Sequence, residues 1–188
     1  EDTLLEKYLE SGELTQDELV RGLKSIVRNG SYFPVFCAAG GHEIGIAPLL
    51  NAIIDLMPSP ADRPVVPVQG KSGEENLPVS DTGPVALYVW KTTADPFVGK
   101  MTYFRVRSGT ISSDVHLMNI GKNADERLTG LHIQRGKESN PVKVAHAGDL
   151  AVVAKLSVTA TGDTLCEKNH PLTIPVPTYP AALFQVAI

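Results

Sequence analysis

Along the run Met101–Arg107, period-2 alternation sets Tyr103, Arg105 and Arg107 on one strand face and Thr102, Phe104 and Val106 on the other. An aromatic ring beside two guanidiniums suits phosphate and ribose, because each guanidinium presents planar, paired donors. A solvated outer face with Arg105 paired to a carboxylate accounts for the same residues. Lys100, Lys122, Arg127, Arg135, Lys137 and Lys143 extend a basic patch if they share that side. Just upstream, Asp95-Pro96 is a turn signal, followed by Phe97 and the permissive Gly99. Phe97 either plugs one end of a β domain or stands out to touch another body.

Other chemistry is thin. His42, His116, His132, His146 and His170 show no i, i+4 pairing and no HExxH, so metal ligation is not indicated. Asp149 and Asp163 each follow a glycine, where aspartate forms turns without any acid–base role. No serine lies in a G-x-S-x-G elbow, and no Cys–His arrangement for nucleophilic catalysis is legible. Cys37 and Cys166 form no CxxC; two isolated thiols read as small buried apolar residues in a reducing compartment. With 17 basic and 21 acidic side chains the net charge is −4, so any nucleic-acid contact must be a local patch. No apolar run approaches the roughly 18 residues of a membrane span, and nothing reads as a secretory signal. The chain starts without methionine and looks cut from something longer, or processed.

The elements that must position these groups change character along the chain. Residues 1–60 read as α/β. Thr15 and Glu18 form a capping box, with Leu14 and Leu19 as its hydrophobic staple. Leu19, Leu23, Ile26 and Val27 recur at helical spacing, and Asn29-Gly30 closes the helix. Phe33–Ala38 is an apolar run without alternation, as in a buried strand of a parallel sheet. A second helix follows, with Leu49, Leu50, Ile53, Ile54 and Met57 on its inner side, and Pro58-Ser59-Pro60 stops it. Residues 61–83, rich in proline, glycine and charge, read as a linker. Residues 84–188 read as a β-barrel with strands Val85–Thr92, Met101–Arg107, Val115–Ile120, Leu128–Gln134, Leu150–Leu156 and Leu183–Ile188. Turn signals at Ser108-Gly109, Gly121-Lys122-Asn123, Gly148-Asp149 and Thr161-Gly162-Asp163 separate them.

The string Asp95-Pro96-Phe97-Val98-Gly99-Lys100-Met101-Thr102-Tyr103-Phe104-Arg105-Val106-Arg107-Ser108-Gly109-Thr110 closely resembles the opening of domain II in elongation factor G. Ala147–Leu150 and Thr161–Cys166 recur in that family's order, and Glu6–Glu10, Pro34–Cys37 and Asp55–Pro60 resemble the end of its GTPase domain. Arg135-Gly136-Lys137 before Pro141-Val142 looks more like the paralogous elongation factor G-like branch.

The resemblance implies an α+β chain: an N-terminal α/β remnant of a P-loop GTPase domain, then an antiparallel translation-factor β-barrel. It implies a parent GTPase acting in the elongation or translocation step. The barrel would dock on small-subunit ribosomal RNA and couple domains, in the cytoplasm, with no membrane or DNA partner. In the parent, GTP or GDP with magnesium is the implied cofactor, and Ala39 and Gly40 stand where the family's Ser-Ala contacts guanine. The Asp95, Phe97 and Gly99 loop is then a candidate interdomain contact. This chain itself has no D-x-x-G and no N-K-x-D. Its one Gly-Lys-Ser, Gly70–Ser72, has Val65 where the P-loop's first glycine belongs, so the chain alone is not expected to hydrolyse GTP. A paralogous ribosome-associated GTPase without translocase activity, or a barrel that binds protein partners, fits the same residues.

Overall fold

The computed structural model describes residues 2–63 and 65–180, and the expected strand Leu183–Ile188 lies outside them. The chain divides into two compact units, Glu1–Asp62 and Arg63–Ile188. Overall it is α+β, with three α-helices and otherwise antiparallel pairing among the described residues.

The first unit holds α1 (Asp2–Ser11), α2 (Gln16–Arg28) and α3 (Ile46–Leu56). The capping box forms as its residues predict: Thr15 N–H donates to Glu18 Oε2 at 2.9 Å, and Glu18 N–H donates to Thr15 Oγ1 at 3.3 Å. Lys7 Nζ also donates to Glu18 Oε1 at 2.6 Å, joining α1 to α2. That bond first, and those from Thr15 next, hold the Glu18 carboxyl down at about 2. Gly30, with φ +71°, ends α2, and Ser31 N–H reaches back to Ile26 O at 3.1 Å.

The sheet expected here does not form. Phe33–Ala38 runs without a ladder partner, with Phe33, Val35, Phe36 and Cys37 exposed; the pairing nearby is a bridge from Ala39 to Ile44. A parallel strand needs neighbours on both sides, and no other described segment of this unit supplies one. The same lack uncovers the helices. Leu50, Ile53, Ile54 and Met57 of the expected inner side are exposed, as are Leu19, Leu23 and Ile26. Only Leu4 and Leu56 are buried among the described apolar residues of this unit.

The second unit is built of strands β1 (Val65–Gly70), β2 (Gly73–Pro78), β3 (Ala86–Asp95), β4 (Gly99–Ser108), β5 (Ile111–Ser112), β6 (Val115–Asn119) and β7 (Ala124–Leu128). They continue as β8 (His132–Arg135), β9 (Glu138–Pro141), β10 (Val144–Ala145), β11 (Leu150–Ala154), β12 (Thr164–Cys166) and β13 (Leu172–Thr173). The expected strand Leu128–Gln134 is two strands, because Gly130 turns the chain at φ +68° between β7 and β8.

The main sheet has the order β7-β6-β12-β3-β4-β11-β8-β9, with β5 and β10 paired separately. Its ends, β7 and β9, are not paired to each other among the described residues, so the ladder is barrel-like without closing. It nevertheless curls round one core. Leu87, Val89, Phe104, Val106, Leu117, Leu128, Ala151, Val153 and Leu165, drawn from six strands, pack with Ile111 and Ala145 of the small pair.

Residues 65–78 are not a linker. They form the β1–β2 hairpin, in register from Val65 opposite Pro78 to Gly70 opposite Gly73, and β13 pairs with β1. The Gly-Lys-Ser is this hairpin's tip. Pro67 and the run of polar residues in β2 mask the alternation there, yet Val68 and Leu77 point inward. With Ala86, Tyr88, Cys166, Leu172 and Ile174 they make a second core on the other face of β3 and β12. Cys166 is therefore the small buried residue expected, its thiol pushed up by burial, whereas Cys37 is exposed.

A candidate nucleic-acid interface on the β3–β4 face

Strand β4 alternates as read: Thr102, Phe104 and Val106 are buried, and Tyr103, Arg105 and Arg107 are half-buried on the opposite face. What sequence alternation misses is the partner strand. Val89 pairs with Phe104 but Lys91 pairs with Tyr103, so Trp90 is the extra residue of a β-bulge. A bulge re-aims the side chains around it. Here Trp90 and Lys91, consecutive residues, are both exposed, and both lie beside Tyr103. The Trp90 and Tyr103 rings are 5.7 Å apart and tilted by 54°, and Lys91 Nζ lies 5.9 Å from the Tyr103 ring centre. A second register shift, between Ala86 and Leu87, leaves Arg107 as the extra residue of β4. Its guanidinium sits 5.7 Å over the Tyr88 ring.

Among the described residues these cations have no carboxylate partner: none of the ion pairs there involves Lys91, Arg105 or Arg107. Arg105 Nε donates to Gly148 O at 3.3 Å, and the buried Nε of Arg107 has no hydrogen-bond partner among the described residues. Burial, then repulsion from Arg105, pulls the Arg107 pKa down from its ordinary value. Two guanidiniums so placed gain from an anion between them. Two of the other candidate cations are spent: Lys122 Nζ lies 2.8 Å from Asp163 Oδ2, and Arg127 pairs with Asp114 at 3.3 Å.

The β3–β4 tip is held from inside. Asp95 Oδ1 accepts from Phe97 N–H at 2.9 Å and from Val98 N–H at 2.8 Å, and Gly99 takes φ +89°. The two backbone donors hold the Asp95 carboxyl below its ordinary value. Phe97 does not plug the β domain: it is 95% exposed at the tip. Asp95→Ala is expected to speed hydrogen exchange at the Phe97 and Val98 amides while leaving the thermal midpoint nearly unchanged.

Asp149 and Asp163 act as turn and network groups. Asp149 Oδ2 accepts from His146 N–H at 2.8 Å; Asp163 Oδ2 accepts from Asn119 Nδ2 and Ala160 N–H, each at 2.8 Å. At the candidate guanine loop, Ala39 N–H is already used by Ile44 O at 2.9 Å. Gly40 N–H has no partner among the described residues.

An antiparallel sheet curled round the main core, with one cationic face, makes this a β domain of barrel-like class. Residues 84–168 match the family model described as elongation factor G domain 2. The chain is also similar to a crystal structure of a Thermus thermophilus protein, with 32% identity and a TM-score of 0.70 over 91% of its own length. It spans 23% of that protein. No described helix is long and apolar enough to cross a membrane.

Proposed function

We propose that this chain is the docking and coupling part of a larger translational GTPase of the elongation factor G-like branch, acting in the elongation or translocation step. The domain 2 match supports the class, and Lys91, Arg105 and Arg107 on one face, without carboxylate partners among the described residues, carry the docking assignment. Small-subunit ribosomal RNA is the partner such a face fits, because phosphates supply the charge that no carboxylate of the described fold supplies. The exposed, pre-shaped Phe97 tip serves contact with another domain of the same factor. The nucleotide is held elsewhere in that factor, where GTP with magnesium supplies the free energy of hydrolysis; this chain performs no step of that chemistry.

The test is sedimentation of the full-length factor with small ribosomal subunits across a salt series. Affinity should fall as salt rises. Changing Arg105 and Arg107 to Glu should weaken binding by about tenfold or more and flatten the salt slope by roughly 1.5–2. Circular dichroism should show the β domain still folded. Unchanged binding removes this face from the docking assignment.

A further inference from the structure

We infer that the β3–β4 face takes an unpaired RNA base, stacked on Trp90, with the adjoining phosphates held by Lys91 and Arg105. This rests on the docking assignment above and adds to it a stacking platform and a preference for single-stranded over duplex RNA.

The geometry that points there is the bulge. Continued alternation would send Lys91 inward; the extra residue instead turns Trp90 and Lys91 out together beside Tyr103. Trp90 is 43% exposed, packs on the Tyr103 ring and belongs to neither core. Its open face is flat and apolar, and cations flank it: Lys91 next in sequence, and Arg105 two residues beyond Tyr103 on β4. An apolar protein partner would match the ring but would bury three charges without partners, which is costly. A duplex would offer phosphates but no free base face. An unstacked nucleotide satisfies both, since every base has a π-face and each linkage an anion.

Trp90 is the one tryptophan in the chain, so the site reports on itself. The 188-residue chain is titrated with an adenylate hexanucleotide, and separately with a blunt RNA duplex of the same phosphate number, following tryptophan emission. The hexamer should quench Trp90 saturably, less so at higher salt, and the duplex should not. By anisotropy of a labelled hexamer, Trp90→Ala should weaken binding roughly 5- to 150-fold, with Trp90→Phe in between. Trp90 lies outside both cores, so these variants keep the fold. Hexamer binding without quenching, unchanged in Trp90→Ala but weakened in Arg105→Glu, overturns the stacking platform while leaving ribosome docking standing. No hexamer binding at all also overturns it. Subunit binding left unchanged by the Arg105 and Arg107 substitutions would instead take down the docking assignment itself.

Discussion

Replacing Glu126 by alanine should lower the stability of the β domain by about 3–5 kcal/mol and its thermal midpoint by roughly 10–20 °C. Glu126 is 2% exposed on β7, beside the inward Leu128. Its carboxylate accepts from the backbone N–H groups of Ser157, Val158 and Thr159, each at 2.9 Å, and from Thr159 Oγ1 at 2.8 Å. Alanine would strip the acceptor from all four. Ser157 and Val158 are exposed enough to find water, but Thr159 is fully buried, so its amide would lose its acceptor and its hydroxyl would keep only the bond it accepts from Asn119 Nδ2 at 3.2 Å. Each such buried orphan costs about 1–3 kcal/mol, and the lost charge-assisted bonds add to that. Thermal melts of the purified chain measure the effect; a loss below about 1 kcal/mol would mean the loop repairs itself with water.

The same carboxylate makes stability depend on acid. Burial pushes its pKa up, but the backbone donors of Ser157, Val158 and Thr159, with the Thr159 hydroxyl, together prevail, and the folded value lies below the ordinary one. A depressed folded pKa stabilises fully above the unfolded value and is lost as pH falls through the folded one. The β domain should therefore weaken below about pH 4.5, the ordinary value for this group. Glu126→Gln should melt lower at neutral pH and show a shallower acid limb, since it has no proton to take up. Some acid dependence remains, because Asp163 is held below its ordinary value by Lys122, Ala160 and Asn119 against its burial.

Legibility in the sequence follows the regular parts of the fold. The capping box of α2, the Tyr103–Arg105–Arg107 face and the turns at Gly109 and Gly162 are readable because each depends on residues near one another in sequence. The outward turn of Lys91 beside Trp90 is not, because a bulge is one residue out of step, and a period-2 reading discards what breaks the period. Glu126 does leave a trace: it sits two residues before Leu128, which puts a carboxylate on the buried face of β7. Its partners lie some thirty residues on in the loop 157–159, beyond any local pattern. Residues 61–83 mislead because proline and charge resemble a linker until a second sheet face needs covering. The strand at Phe33–Ala38 fails for the opposite reason: its sequence suits a sheet whose other strands the described part of this unit does not contain.

The other large effect belongs to Gly109, which ends β4 at φ +75°. A Cβ there would stand 2.8 Å from Val85 Cα and 2.9 Å from Gly83 O, both backbone atoms. Those atoms cannot swing aside as a side chain would, because Val85 is part of the main core and Gly109 N–H is itself bonded to Ser80 O at 2.8 Å. Gly109→Ala should thus combine left-handed backbone strain of about 1–2 kcal/mol with an overpacking cost of roughly 1–3 kcal/mol, about 2–5 kcal/mol in all. Gly136 separates the two contributions. It has φ +59° but open space where a Cβ would go, so Gly136→Ala should carry the strain alone, about 1–2 kcal/mol. Denaturant melts of both variants give the difference, which is the cost of crowding Val85 and Gly83 together. Equal losses would mean the β4 exit has slack and that Gly109 serves only its dihedral angle. A larger loss at Gly109 would show that the edge of the main core is packed directly against the backbone of this turn.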